Sequence, residues 1–241
     1  MKVPVRYDGE EVLCAVHENP AISSRIRIHV YPDGSVEIEA PPGKSQAEIQ
    51  QAAQKRARWV FDHRQSALRA RSLSLPREYV SGETHFYLGR RHKLIVRAES
   101  GQPSVVRLTR GRLEVIAPVV EPAAVKRRLH KWYRDRAHDY FGRKISEWSS
   151  KLPWVTALPE FRLVGMSTQW GSCSPQGAIL LNPALIRAPR HCIDYVVLHE
   201  LCHLVEHNHS KQFYKMLDRH MAAWQIAKSE LDGLAELILA D

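Results

Sequence analysis

The stretch that decides the fold reads VVLHELCHL over residues 196–204. Apolar side chains precede, separate and follow its two histidines, so a helix through this stretch would be buried on nearly every side. On a helix, residues four apart lie about 40° apart in azimuth and about 6 Å apart along the axis. His199 and His203 therefore point in the same direction, while Glu200 lies about 60° to the side of His203.

Two histidines and a glutamate on a buried helix need partners, because an unpaired buried charge is costly. The H-E-x-x-H spacing lets His199 and His203 share one metal ion at about 2.0–2.1 Å per bond. Glu200 is placed to reach a water on that ion rather than the ion itself. The alternative is a pair of core histidines satisfied by hydrogen bonds, which the buried context disfavours.

A catalytic zinc site usually has three protein ligands and one open position, and three nearby residues could supply the third ligand. His207 continues the series of four, but it would lie about 12 Å from His199 along a straight helix. Glu206 also lies on the predicted helix. His209 follows Asn208, a residue type that tolerates the left-handed conformation in which helices often end. The resulting H-E-x-x-H-x5-H spacing equals that of the metzincin ligands, so His209 is the predicted third ligand.

This donor set predicts a hydrolase of peptide bonds. A bound zinc ion, Zn²⁺, would lower the pKa of its water toward about 7 and polarise a peptide carbonyl. Glu200 would take the water proton and pass it to the leaving amine. Asp194 precedes His199 by about one and a half turns, where we expect it to offset the helix dipole rather than to orient a ligand.

The rest of the chain predicts an α+β organisation with a domain boundary near residue 118, where prolines follow a β-rich stretch. The predicted N-terminal domain, residues 1–118, is β-rich with one helix, which starts at a capping box formed by Ser45 and Glu48. Its elements are strands at 26–31 and 36–40 around a turn at 32–34, a helix at 45–71, and a meander or small open sheet at 85–88, 92–97, 105–109 and 113–116. The predicted C-terminal domain, residues 119–241, carries the H-E-x-x-H helix. Its elements are helices at 123–150, 192–206, 211–221 and 225–239, with strands at 161–166 and 178–181.

Composition narrows the class of protein. The chain has 241 residues and a hydrophobic fraction of 44%, enough for a sizeable core without disulfides. Its four cysteines are scattered and form no C-x-x-C pair, so neither a cysteine-based zinc site nor a redox motif is expected. No stretch has the length of a signal-peptide core or of a membrane helix. We therefore expect a soluble cytoplasmic protein that has no membrane partner.

The formal net charge of +9 is typical of proteins with acidic partners, nucleic acid among them, and also of an ordinary basic surface. No nucleic-acid motif accompanies the charge, which favours the ordinary surface. Basic side chains are dense in the predicted helix at 123–150 and alternate there with aromatic ones. Such mixing can bind single-stranded nucleic acid by stacking. Helical spacing, however, favours a buried stripe with the charges solvated, made of Leu129, Trp132, Ala137, Phe141 and Ile145.

Three stretches resemble the YgjP-like metallopeptidases, which are relatives of the SprT-like proteins. They are TQWGSCS at 168–174, ILLN at 179–182 with LIRAP at 185–189, and IDYVVLHELCHL at 193–204 with NHS at 208–210 and Phe213. Two positions depart from the family pattern. Gln169 stands where the family usually has arginine, and Tyr214 where it often has tryptophan.

The resemblance implies a zincin-like α+β domain in which the matched histidines hold the metal. By the same analogy, Gln169, Trp170, Gly171 and Ser172 lie near the cleft and present an edge strand to an extended peptide or protein substrate. Equally, Trp170 and Cys173 could simply pack under the active helix, and Cys173 as a fourth, inhibitory ligand is a weaker alternative. SprT-like relatives act on proteins crosslinked to DNA, so the resemblance also makes nucleic acid a candidate partner through the basic surface.

Two functions therefore compete. One is a zinc metallopeptidase. The other is a zinc-stabilised, DNA-associated binding module with little or no proteolysis. Glu200 favours the enzyme, since a purely structural zinc site has no use for a carboxylate at that position.

Overall fold

The computed structural model describes residues 1–20, 22, 24–31, 34–73, 77–101, 103–166 and 169–239. The chain divides into two compact units, Met1–Leu75 and Pro76–Leu239. The boundary predicted near residue 118 does not coincide with this division, because the strands before residue 118 share a hydrophobic core with the helix after it. Within the described ranges, no helix is both long and apolar enough to cross a membrane.

The N-terminal unit is a four-stranded sheet with two helices. The strands are β1 (Lys2–Tyr7), β2 (Glu10–Glu18), β3 (Arg27–Val30) and β4 (Val36–Ala40), in the order β1-β2-β4-β3. The helices are α1 (Gln46–Gln54) and α2 (Ala57–Leu73). Alternate residues of β1, β2 and β4 are buried against α1 and α2, as a sheet with one solvated face requires.

The sequence predicted β3, β4 and the Ser45–Glu48 capping box, all of which are present. It missed β1 and β2, although alternating burial of Val3 and Val5 marks the first of them. The single helix predicted at 45–71 is two helices, because α1 ends at Gln54, with Lys55 as its C-cap, and α2 starts at Ala57. Two residues of the turn predicted at 32–34, residues 32 and 33, lie outside the described ranges.

The C-terminal unit opens with a second four-stranded sheet. Its strands are β5 (Thr84–Tyr87), β6 (Arg90–Ala98), β7 (Val105–Thr109) and β8 (Arg112–Ala117), in the order β5-β6-β8-β7. The sheet is open and is not a meander, because β8 pairs with β6 in parallel and β7 lies on the far side of β8. All four strands lie within one or two residues of their predicted positions.

One face of this sheet packs on α3 (Pro122–Ser149). Leu94, Leu113 and Val115 are fully buried from the sheet side. The helix contributes the apolar stripe that its sequence predicted, and all five residues of that stripe are buried. The core reading of this helix is therefore confirmed, and most of its charged side chains remain on the exposed side.

A small sheet and three more helices complete the unit. The sheet has strands β9 (Phe161–Leu163), β10 (Gly171–Cys173) and β11 (Ile179–Leu181), in the order β10-β11-β9. A 3-10 turn (Pro183–Arg187) leads into α4 (Arg190–Cys202), α5 (Lys211–His220) and α6 (Trp224–Leu239). The α+β class predicted from the sequence is confirmed by this architecture.

Asn182 anchors the loop that precedes β10. Its side-chain amide donates to the carbonyls of Met166 at 2.7 Å and Gln169 at 3.1 Å, and its Oδ1 accepts from the backbone of Ala184. Asn182 is 2% exposed, so these bonds satisfy a buried amide and fix the start of β10 against the end of β11.

Candidate metal centre

Helix α4 is held at both ends by contacts with tryptophan side chains. Trp148 of α3 donates its indole N–H to Oδ1 of Asp194 at 3.1 Å, beside an ion pair between Lys144 and the same carboxylate. Trp154 donates to the carbonyl of Leu201 at 3.0 Å, which satisfies one of the last carbonyls of the helix. Asp194 was expected to offset the helix dipole, and in the structure its carboxylate joins α4 to α3 instead.

The three histidines predicted as ligands converge at the end of α4. Nε2 of His199 lies 3.2 Å from Nε2 of His203 and 3.0 Å from Nε2 of His209. All three ligand atoms lie within 4.8 Å of one another, and each side chain is half-buried. The structure thus brings together one residue from the helix interior, one from its C-cap and one from the segment beyond it.

The path that returns His209 to the helix differs from the prediction. We expected α4 to reach Glu206 and the chain to turn at Asn208 in a left-handed conformation. Instead, α4 ends at Cys202, His203 is its C-cap, and the backbone N–H of Glu206 bonds back to the carbonyl of Cys202 at 3.0 Å. Asn208 has no positive φ angle, so the reversal begins earlier than predicted.

The two distances from Nε2 of His199 fit a single tetrahedral metal ion such as zinc, whose ligand nitrogens lie about 3.3 Å apart at the usual bond lengths. The tautomer of His203 fits as well. Its Nδ1 lies 3.0 Å from the carbonyl oxygen of Glu206, which can only accept, so Nδ1 carries the proton and Nε2 keeps its lone pair. A shared cation would stabilise ring nitrogens that lie this close to one another.

Burial keeps the imidazoles of His199 and His203 neutral. It lowers the pKa of His199 to about 3, with the neighbouring His203 and His209 adding to the shift. Burial also lowers the pKa of His203, against the hydrogen bond to Glu206. Neutral imidazole is the form that binds a metal ion, so the pocket favours the ligand state.

Glu200, which follows His199 directly on α4, has a buried carboxylate. It is 4% exposed, and its Oε2 has no hydrogen-bond partner among the described residues. Burial raises the pKa of Glu200 to about 8. A buried acceptor without a partner is costly, and such groups mark places where a ligand or a water is expected.

Strand β10 approaches this carboxylate closely. A Cβ atom added at Gly171 would lie 2.8 Å from Oε1 of Glu200, a distance that real Cβ atoms do not tolerate. Gly171 is therefore the residue that lets β10 pass the glutamate. Of the residues predicted to bind substrate, Gly171 and Ser172 lie in β10, while Gln169 is exposed and Trp170 packs partly on the core. Thr168, which belongs to the same predicted motif, lies outside the described ranges.

Sequence reasoning missed the aromatic support of the centre. The ring of Phe213 in α5 lies 4.7–4.9 Å from each of the three imidazoles, measured between ring centroids. Next to it, Trp224 is stacked between Tyr195 and Tyr214. The N-cap spacing from Ser210 to Phe213 could have placed Phe213 on the first turn of α5, facing the metal ligands.

The rejected ligand candidates stay out of the centre. His207 is exposed, and Glu206 contributes its backbone carbonyl to His203 rather than its carboxylate. The donor cluster found among the described residues does not include Cys173, whose thiol contacts the carbonyl of Ser174. The inhibitory role considered for Cys173 therefore gains no support from the geometry.

Comparison with known proteins identifies a family for the chain. A family model described as "YgjP-like, metallopeptidase domain" matches residues 24–233. That match covers most of the chain and includes the whole donor cluster. No curated protein matches the chain.

Two solved structures are similar to parts of the chain. One is the metallopeptidase zymogen jannalysin of Methanocaldococcus jannaschii, with 17% identity over 41% of this chain and 95% of that one, at a TM-score of 0.33. The other is the metallopeptidase zymogen abylysin of Pyrococcus abyssi, with 20% identity over 44% of this chain and 90% of that one, at a TM-score of 0.30.

Proposed function

Because this chain belongs to the YgjP-like metallopeptidase family, we propose that it hydrolyses peptide bonds at a zinc ion held by His199, His203 and His209. The observation that carries the proposal is the convergence of three Nε2 atoms, since those of His203 and His209 lie 3.2 and 3.0 Å from that of His199. Three imidazole donors suit zinc, and they leave room for the open position that catalysis requires.

When bound, such an ion supplies Lewis acidity, which polarises a peptide carbonyl and makes a water molecule more acidic. We assign the proton transfer to Glu200. Its carboxylate would accept a proton from the attacking water and return that proton to the amine of the leaving peptide. The closed surroundings of the carboxylate support this role, because burial raises its pKa and thereby its basicity.

The substrate would lie beside β10. This strand pairs with β11 and is an edge of its sheet, so the backbone groups on its other side can bind an extended peptide by strand addition. Gly171 and Ser172 would then offer backbone contacts close to Glu200. Gln169 and Trp170, at the entrance to the strand, are proposed to contact the same peptide.

The experiment compares metal content and hydrolysis in matched variants. Metal analysis of the purified protein should find about one zinc per chain, lost in His199→Ala and in His209→Ala. The exposed neighbour His207 gives the control, because His207→Ala should keep the metal. Glu200→Gln should also keep the metal, yet lower the hydrolysis of a peptide library by at least about 100-fold.

Equal turnover by the wild type and Glu200→Gln would overturn the catalytic role of the glutamate. Loss of metal from His207→Ala, with His209→Ala unaffected, would overturn the ligand set. The competing function is a zinc-stabilised binding module without catalysis. It gives no reason for a buried carboxylate directly after a proposed ligand, because burying that group destabilises the folded protein.

A further inference from the structure

The sheet β5-β6-β8-β7 has a second face, which points away from α3. Strand pairing places Lys93 of β6 opposite Thr84 of β5 and Arg112 of β8, and it places Arg107 of β7 opposite Glu114 of β8. Because side chains alternate between the two faces of a strand, one set of residues shares this side. We call it the outer sheet face, and it comprises Thr84, Phe86, Arg91, Lys93, Ile95, Arg97, Val105, Arg107, Thr109, Arg112, Glu114 and Ile116.

The charge of the outer sheet face is strongly positive. It carries five cations, all of them exposed, and one carboxylate, that of Glu114. Glu114 is buried under two of the cations, at 2.9 Å from Arg107 and 4.0 Å from Arg97. Arg91, Lys93 and Arg112 form no ion pair with any residue in the described ranges.

The two central strands juxtapose like charges. Lys93 and Arg112 are direct cross-strand partners, an arrangement that destabilises a sheet. Thr84, on the other side of Lys93, offers no charge to relieve this repulsion. An anion bound between these two exposed cations would relieve their repulsion.

Apolar groups lie between the cations. Phe86, Ile95 and Ile116 are partly exposed, Val105 is 42% exposed, and none of the four packs on the hydrophobic core of the unit. The guanidinium of Arg91 lies 5.8 Å from the ring centroid of Phe86. On the outer sheet face, cationic side chains therefore alternate with aromatic or aliphatic ones. A partner that has a charged backbone and apolar rings could contact both kinds of side chain.

We propose that the outer sheet face binds single-stranded nucleic acid. Phosphates would pair with Arg91, Lys93 and Arg112, and bases would stack on Phe86 and its arginine. Four of the five cations are arginines, whose planar guanidinium binds phosphate in a bidentate manner. An acidic peptide would satisfy the charge, but only a nucleic acid strand carries a flat ring beside every backbone charge.

The basic helix predicted for this role is a weaker site. On α3, Lys131 pairs with Asp135 at 2.7 Å, and Lys144 pairs with Glu147 at 2.9 Å. Arg134 donates to the backbone carbonyl of Leu163 at 3.0 Å. These cations are engaged within the protein, whereas Lys93 and Arg112 repel each other.

The test is fluorescence anisotropy of a labelled oligo-dT strand titrated with the full chain at low salt. Lys93→Gln combined with Arg112→Gln should weaken binding about tenfold or more, and should lower the slope of log K against log salt by about 1.4, which is two phosphates at about 0.7 each. Phe86→Leu should weaken binding roughly tenfold and leave that slope unchanged, because it removes stacking and no charge.

The matched control removes the same charge from α3. Lys131→Gln combined with Arg143→Gln should bind within about twofold of the wild type. Circular dichroism should show that every variant is folded. Binding is independent of the proposed peptidase chemistry, so Glu200→Gln should bind oligo-dT as the wild type does, and either proposal can fail alone.

Three outcomes would overturn the inference. One is an absence of binding at low salt. Another is an equal loss in the α3 control, which would mean that net charge alone drives the association. The last is tighter binding of a DNA duplex or of polyglutamate than of the single strand, which would assign the face to a different partner.

Discussion

Glu200 is held against the backbone of β10, and one missing side chain makes that contact feasible. Gly171 places its Cα where any other residue would push a Cβ into the carboxylate. The same approach closes the pocket around Glu200 and so contributes to the burial that raises its pKa. The position of the oxygen to which we assign proton transfer therefore depends on a residue that has no side chain.

Gly171→Ala should lower peptide hydrolysis by on the order of tenfold to a hundredfold while zinc remains bound, since the carboxylate must move and the three imidazoles need not. The control is Gly165→Ala, because a Cβ at Gly165 meets nothing within 4 Å. Metal analysis and steady-state kinetics on the same preparations would separate the two effects. Loss of zinc from Gly171→Ala, or full activity in it, would contradict the assignment.

The sequence predicted which histidines lie together more accurately than it predicted the backbone path that brings them together. The spacing of four residues between His199 and His203 fixes their common direction on any helix, so their meeting needed no knowledge of the fold. His209 was chosen for a turn at Asn208 that does not occur. The helix stops at Cys202 for reasons of tertiary packing, among them the bond from Trp154 to Leu201, which no local pattern contains.

Among the elements, α5 matters most to the centre, although it supplies no ligand. Its N-cap is Ser210, which follows His209 directly and accepts hydrogen bonds from the backbones of Gln212 and Phe213. The cap thereby fixes Phe213 where its ring contacts all three imidazoles. A helix start, an aromatic support and a proposed ligand are joined within five residues of sequence.

Ser210→Ala should destabilise α5 by about 1 kcal/mol and weaken zinc binding about fivefold, since ordering of the cap becomes part of the cost of binding. Ser45→Ala provides the control, because it removes an equivalent N-cap from α1 in the other unit. It should cost a similar stability and leave zinc affinity unchanged. Competition with a chelator would measure both affinities, and equal zinc binding in all three proteins would refute the coupling.

The order of the strands lay beyond sequence reasoning. The four strands β5–β8 were placed by their glycine punctuation and alternation, which are local signals. Their pairing is not local, since β8 passes β7 to join β6 in parallel. Strand β10 was expected from the family resemblance alone. Three residues are too short for a periodic pattern, and the strand forms by pairing with β11.

For the whole molecule, the difference between local and long-range signals also explains why the domain boundary predicted near residue 118 does not coincide with the division of the chain. Prolines at 118 and 122 break the local pattern, but the hydrophobic core continues across them. Leu113 and Val115 pack in the same cluster as Val125 and Leu129. Local breakers report where an element ends. Contacts between residues far apart in sequence decide which elements share a core, and a single sequence does not reveal those contacts.

That shared core contains a buried histidine, which predicts how stability depends on pH. His85 of β5 is 2% exposed, and its ring nitrogens face Glu83 at 3.2 Å and Arg77 at 3.4 Å. Burial lowers the pKa of His85 from 6.5 to about 4. Arg77 and, more weakly, Arg187 add to that shift, and Glu83 opposes it. The folded C-terminal unit therefore holds this imidazole neutral where the unfolded chain would already be protonated.

As the pH falls, the unfolded chain takes up this proton first, so the free energy of unfolding should decrease between pH 6.5 and about pH 4, by up to about 3 kcal/mol from His85 alone. Above pH 6.5 its contribution is constant.

In His85→Gln the slope of the unfolding free energy against pH between pH 6.5 and about pH 4 should be smaller than in the wild type. The exposed His138→Gln should keep the wild-type slope. Urea unfolding at a series of pH values, with zinc removed so that the metal ligands contribute equally to all three proteins, would measure the difference. A wild-type slope retained in His85→Gln would mean that other buried groups carry the acid sensitivity of the unit.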